Sequence, residues 1–259
     1  MKFLHVTDLH MVAAGLLYGL DPAERLAACI ADMMAHHADA AFVVVTGDLA
    51  HKGDEGAYRR LRGLLAELRL PTHLMLGNHD SRPAFQAVFA DAPRDGAGFV
   101  QYAFDTEIGR CVCLDTHTAD GHHGELDPER LDWLRGEIAR ADARGITLFM
   151  HHPPMPVGIR RMDRIALRDS DRLAELLRGT DKVRHLFFGH LHRPLSGTWH
   201  GIPFTGLPAL NHQVALDFAI EDAVSGSHEP PAYGVVLADR QTTVVHVHHF
   251  LDRTNTFNL

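Results

Sequence analysis

Residues 41–48 read Ala41-Phe42-Val43-Val44-Val45-Thr46-Gly47-Asp48, a short β-branched run that stops on a glycine and a carboxylate. Such a run fits a pleated strand, and the glycine marks its end. The same design recurs outward along the chain. Phe3–Val6 runs into Asp8-Leu9-His10, and His73–Leu76 into Gly77-Asn78-His79-Asp80. Ile146–Met150 runs into His151-His152-Pro153, and Val183–Phe188 into Gly189-His190-Leu191-His192. Arg110–Leu114 has the same texture.

Helical patterns separate these strands. Asp21-Pro22 and Asp127-Pro128 each offer an N-cap followed by proline at the first helical position. Asp54 opens a stretch that places Tyr58, Leu61, Leu65 and Leu68 on one face, and Asp169 or Ser170 caps a stretch with Leu173, Leu176 and Leu177. After Phe188 the texture turns to Gly- and Pro-punctuated strands, ending in Tyr233–Leu237 and Thr243–Phe250. Glu221–Pro231 reads as a polar, flexible loop. Alternating β and α followed by mostly β predicts an α/β sandwich, with two sheets inside and helices outside.

The chain has 259 residues, 46% hydrophobic and 22% charged, enough for one ordered domain with a large core. It reaches Asp8 before any apolar stretch long enough for a signal peptide, and no segment suffices to cross a bilayer. Three cysteines imply no disulfide framework, and Cys111 and Cys113 read as a core-facing pair. These features predict a cytoplasmic protein. A net charge of −8 opposes broad nucleic-acid binding, which needs clustered Lys and Arg. The 21 histidines raise the expectation of a metal site.

Open α/β sheets bind ligands outside the carboxyl ends of their strands. Five strand ends carrying Asp, Asn and His are therefore expected to meet, and a mixed imidazole and oxygen set suits a divalent catalytic metal. The two oxygens of one Asp can each face an ion. The Asp-x-His and His-x-His spacings predict extended backbone, with alternate residues pointing the same way.

In this order, Asp8-x-His10, Gly47-Asp48, Gly77-Asn78-His79-Asp80, His151-x-Pro153 and Gly189-His190-x-His192 resemble the calcineurin-like metallophosphoesterase superfamily. The likeness covers roughly residues 1–215 and loses none of the seven usual ligand positions. Met150-His151-His152-Pro153-Pro154-Met155-Pro156 followed by Met162-Asp163 resembles the bacterial class III cyclic nucleotide phosphodiesterases and a glycerophosphodiesterase branch. Leu17-Tyr18-Gly19 and His212-Gln213-Val214 resemble the latter. A departure follows Gly47-Asp48-Leu49, where His51 stands in a stretch that often carries Asn; it bears on substrate contacts rather than on the metal set.

The resemblance implies a four-layer α/β/β/α sandwich over residues 1–259, with a core of about 1–215 and C-terminal strands and tail over 216–259. It implies two divalent metal ions (Fe, Mn, Zn or Co), one held by Asp8, His10, Asp48 and His192. The second takes Asp48, Asn78, His151 and His190, with Asp48 bridging. His79, beside a ligand but not one itself, is expected to give a proton or hydrogen bond to the leaving oxygen. Asn78, His79, His192 and His212 are expected to contact substrate. The activity implied is hydrolysis of small phosphodiesters, with 3′,5′-cyclic nucleotides and glycerophosphodiesters as candidates. A phosphomonoesterase or nuclease would share the ligands, and a non-catalytic interaction module would share the fold.

The remaining histidines carry plainer expectations. His36-His37 ends a helix and faces solvent or interacts with the helix C-terminal dipole, and His246 and His248 share a solvated strand face opposite Val245 and Val247. His152 either supports the ligands or packs on the following prolines, and His117, His122 and His123 form a loop at the pocket rim. The tail, with Phe257 and Leu259, packs on a partner subunit of a homo-oligomer or on its own domain.

Overall fold

The structure, a computed structural model, describes residues 1–252 and residue 257. In chain order its elements are β1 (Lys2–Val6), α1 (Pro22–His36), β2 (Val43–Val45), α2 (Glu55–Leu65), β3 (Thr72–Leu74) and α3 (Arg82–Val88). Then come β4 (Tyr102–Thr106), β5 (Gly109–Cys113), α4 (Pro128–Arg140), β6 (Ile146–Phe149), α5 (Arg160–Asp163), α6 (Ser170–Arg178) and β7 (Val183–Phe188). The last are β8 (Leu195–Trp199), β9 (Ile202–Gly206), β10 (Gln213–Val214), β11 (Gly226–Ser227), β12 (Tyr233–Ala238) and β13 (Thr243–His248).

Two sheets carry the fold, one in the order β13-β12-β1-β2-β3 and the other β4-β5-β6-β7-β9-β8. The strands that precede the Asp, Asn and His motifs are parallel to their neighbours, β1 with β2, β2 with β3 and β6 with β7. Their carboxyl ends therefore open on one side.

Side-chain alternation sorts the core into three layers. Leu4, Val6, Val43 and Val45 face α1, α2 and α3, whereas Phe3 and Val44 turn to the other sheet. Val112, Leu148, Leu186 and Phe188 face α4 and α6, whereas Cys111, Cys113, Phe149 and Phe187 meet Phe3 between the sheets. The result is the expected α/β/β/α layering, with the Cys111 and Cys113 thiols buried and free. Among the described residues no helix is long and apolar enough to cross a membrane.

Local expectations fare unevenly. Asp21, Asp54 and Asp127 cap α1, α2 and α4 through their carboxylates. Asp169 occupies the N-cap of α6, but its carboxylate accepts the Leu126 amide instead. Glu221–Pro231 is not simply a flexible loop: it contains β11, which pairs with β10, and its acids pair with Arg160, Arg164 and Arg193. His246 is exposed and His248 partly so, the latter with its Nε2 bonded to Asp32 Oδ2 at 2.9 Å. His36 is exposed, but His37 packs on the Tyr233 and His248 rings. Phe257 is exposed, and Leu259 lies outside the described residues.

Candidate metal centre

The loops after β1 and β2 continue pairing beyond the sheet: His10 N donates to Asp48 O at 2.8 Å and Met11 N to Leu49 O at 2.9 Å. The backbone there is not extended as the spacings suggested. Asp8, His10, Asp48, His190 and His192 all have positive φ, between 46° and 70°. Non-glycine residues rarely adopt this region, and such strain gathers at functional sites. The motifs after β1, β2 and β7 thus turn sharply at their strand ends and bring their side chains together. Gly77 and Gly189 permit the close approach, since a Cβ on Gly77 would collide with Asp48 Oδ1 and one on Gly189 with Thr7 Oγ1.

Asp48 lies between two groups of donors. Its Oδ2 is 3.5 Å from His10 Nε2, and its Oδ1 is 3.4 Å from His151 Nε2. On the Oδ2 side, His10 Nε2 and His192 Nε2 are 3.0 Å apart, and His192 Nε2 is 3.2 Å from Asp8 Oδ1. One atom each from Asp8, His10, Asp48 and His192 lie within 4.8 Å of one another. On the Oδ1 side, Asn78 Oδ1 is 3.2 Å from His151 Nε2 and 2.8 Å from His190 Nδ1.

This donor set fits divalent cations. Metal–nitrogen and metal–oxygen bonds of ~2.1 Å put neighbouring ligand atoms roughly 3 Å apart. The contacts above, 2.8–3.5 Å, have that spacing. The ring tautomers fit as well. His151 Nδ1 donates to Thr46 O at 2.7 Å and His192 Nδ1 to His212 O at 2.8 Å. A carbonyl only accepts, so each ring keeps its hydrogen on Nδ1 and leaves Nε2 for a cation. His190 has a buried Nε2 without a partner and turns Nδ1 to the cluster.

The electrostatics agree. Burial holds the His10 and His190 rings well below the ordinary imidazole range, in the neutral form that ligates metals. Burial opposes charge on Asp8, yet His192 and the Thr7 hydroxyl keep its carboxyl below the usual carboxylate range. His192 behaves oppositely: burial lowers its pKa, but Asp8 and Asp48 together raise it. Two carboxylates thus favour a positive charge at the place where the ring nitrogens converge.

His79 lines the cavity beside these groups, with its amide on Asp48 Oδ1 at 2.9 Å and its Nδ1 on His51 O at 2.9 Å. His212 also lines it, its ring centroid 4.9 Å from that of His10 and 4.8 Å from that of His192. The cavity is about 550 Å³; Met162, Ile165, Val214 and Val224 give it an apolar wall, and Tyr18, His51 and His228 are further lining residues. Of the expected rim histidines only His122 lines the cavity, 3.0 Å from Asn78 Nδ2. His117 and His123 are buried instead. His152 is a buried support, its Nδ1 bonded to Thr116 Oγ1 at 2.8 Å.

Sequence reasoning missed Asp80. Its buried carboxylate accepts the amides of Leu49, Ala50 and Gly77 at 2.8–3.0 Å and the Tyr58 hydroxyl at 2.9 Å, tying the Asp48 loop to the Asn78 loop. Burial and Asp48 push its carboxyl up to about 7, against the pull of the three amides. The motif Gly77-Asn78-His79-Asp80 carries the available signal, but two of the three amides that Asp80 accepts, those of Leu49 and Ala50, lie about thirty residues away in sequence.

Layered sheets that deliver Asp, Asn and His from several strand ends to one cavity define a metal-dependent phosphoesterase class. A model of the calcineurin-like phosphoesterase family matches residues 1–194, and the chain belongs to that family. It is 48% identical to a "Probable cyclic nucleotide phosphodiesterase" of Rhodopseudomonas palustris, over 100% of this chain and 96% of the relative. It is 30% identical to the 3′,5′-cyclic adenosine monophosphate phosphodiesterase of Escherichia coli, over 81% and 76% of the two chains. Identity to the glycerophosphodiester phosphodiesterase of Enterobacter lignolyticus is 30%, over 83% and 79%. Among solved structures, a dimetal phosphatase from Danio rerio superposes with a TM-score of 0.73 at 16% identity, covering 97% of this chain and 96% of that one. That last likeness is one of fold.

Proposed function

We propose that this chain is a dinuclear metal-dependent phosphodiesterase acting on small phosphodiesters, with 3′,5′-cyclic nucleotides and glycerophosphodiesters as substrates. The observation that carries the reading is the division of Asp48, one carboxylate oxygen towards His10 and the other towards His151. Asp8, His10, Asp48 and His192 would hold one cation, and Asp48, Asn78, His151 and His190 the other. Iron, manganese, zinc or cobalt suits this mixture of imidazole, carboxylate and amide donors.

Bound divalent cations supply an activated water and neutralise charge on the phosphoryl group. The chain's own residues do the rest. His79 gives a proton from Nε2 to the departing oxygen. Asn78, His192 and His212 orient the phosphoryl oxygens, and the apolar wall of Met162, Ile165, Val214 and Val224 packs on the organic part.

Among the described residues no Lys or Arg lines the cavity. A phosphomonoester carries a second negative charge that would favour a cationic side chain, whereas a diester does not, so the lining supports a diester. The net charge of −8 supports a small substrate over nucleic acid. The same reading takes residues 1–259 as one functional domain of a cytoplasmic protein, able to associate with further copies of itself.

The test is a metal-reconstituted comparison of kcat/KM for cyclic AMP, glycerophosphoethanolamine, bis-nitrophenyl phosphate and nitrophenyl phosphate. Diesters are expected to exceed the monoester, with little dependence on salt. A tenfold monoester preference, ~1.4 kcal/mol of transition-state binding, overturns the diesterase reading and leaves the metal centre standing.

A further inference from the structure

Two of the ligand histidines are oriented by main-chain carbonyls, Thr46 O for His151 and His212 O for His192. His10 has no such anchor. Its Nδ1 faces the Nδ1 of His51 at 3.3 Å. The backbone enforces this meeting: His51 N donates to Met11 O at 2.9 Å, extending the pairing of the loops after β1 and β2. The His51 ring stacks on His79, with centroids 5.1 Å apart and planes 16° from parallel, so it is held on both sides.

We propose that His51 is a positioning residue for the metal centre, accepting the Nδ1 hydrogen of His10 and so fixing the His10 tautomer that offers Nε2 to a cation. An imidazole that ligates through Nε2 keeps its hydrogen on Nδ1, and that hydrogen needs an acceptor. His51 Nδ1 is within reach to accept it, which requires His51 to carry its own hydrogen on Nε2. The arrangement differs from the carbonyl anchors in that a side-chain substitution removes it. It also gives a role to the His51 departure, which leaves every ligand position in place. The inference rests on the reading of His10 as a ligand.

The test titrates metal-free protein with Co(II) and follows both the heat of binding and the visible absorption of the bound ion. His51→Leu, at a half-buried position, is expected to weaken one of two Co(II) sites by ~10–100-fold, the usual cost of removing such a support, and to leave the other unchanged. His51→Gln, whose amide oxygen can accept the same hydrogen, is expected to recover most of the loss. Unchanged affinity at both sites in His51→Leu overturns the proposal, as does equal weakening of both or a Gln variant as weak as Leu. His10→Ala separates the two levels. If it keeps both sites, the ligand reading of His10 fails; if it loses one while His51→Leu loses none, only the role of His51 fails.

Discussion

His79 donates its Nδ1 hydrogen to the main-chain carbonyl of His51 across 2.9 Å. Because a carbonyl oxygen only accepts, that hydrogen stays on Nδ1, and the ring can release a proton from Nε2 only as an imidazolium. His79→Ala is therefore expected to slow hydrolysis by ~10²–10⁴-fold, as for a positioned acid, with metal content retained. The loss should shrink for nitrophenolate leaving groups, which need little protonation. Single-turnover rates across a series of leaving groups check this, and a loss independent of the leaving group contradicts it.

Asp80 joins the Asp48 loop to the Asn78 loop and lies outside the proposed ligand set, so its removal should cost stability first. Asp80→Ala leaves three buried amides unpaired and the Tyr58 hydroxyl without its acceptor, whereas Tyr58→Phe removes one of those four bonds together with the one its hydroxyl accepts from the Ser81 amide. The first is expected to cost ~3 kcal/mol or more and the second ~1 kcal/mol. Urea unfolding of the two variants checks the ratio; equal losses would show that Asp80 is not the hub described.

A third expectation concerns pH. Burial pushes His185 down to about 4 in the folded chain, with its Nε2 on Thr205 Oγ1 at 2.9 Å. In the unfolded chain it titrates near ~6.5. The folded pKa is depressed, so the unfolded state takes up the proton first. The contribution is fully present above pH ~6.5 and is lost as pH falls towards 4, by ~2 kcal/mol at pH 5. His185→Gln in metal-free protein should lose correspondingly less stability between pH 7.5 and pH 5 than the parent. A parallel fall in the two proteins contradicts the assignment.

Much of the fold and all seven proposed ligands were legible because strand, breaker and ligand are adjacent in sequence. Val43–Val45 followed by Gly47-Asp48 is local information, and so are the proline-marked starts of α1 and α4. What stayed hidden depends on distant partners. β4 and α3 lack a strong period, and β11 is two residues, Gly226–Ser227, ordered by pairing with Gln213–Val214. The left-handed turns at Asp8, His10, Asp48, His190 and His192 are also invisible, since nothing in an Asp or His announces positive φ. The separation of His122 from the buried His117 and His123 needs the loop's path, which the sequence lacks.

The central claim is that Asp48 serves two cations at once. Elemental analysis of purified variants after equilibration with one divalent metal tests it directly. His10→Ala and His151→Ala should each lose one tightly bound ion, from opposite sides of the centre. Asp48→Ala should lose both, together with activity. Retention of one full ion by Asp48→Ala, or of both, contradicts the bridging role and with it the dinuclear account.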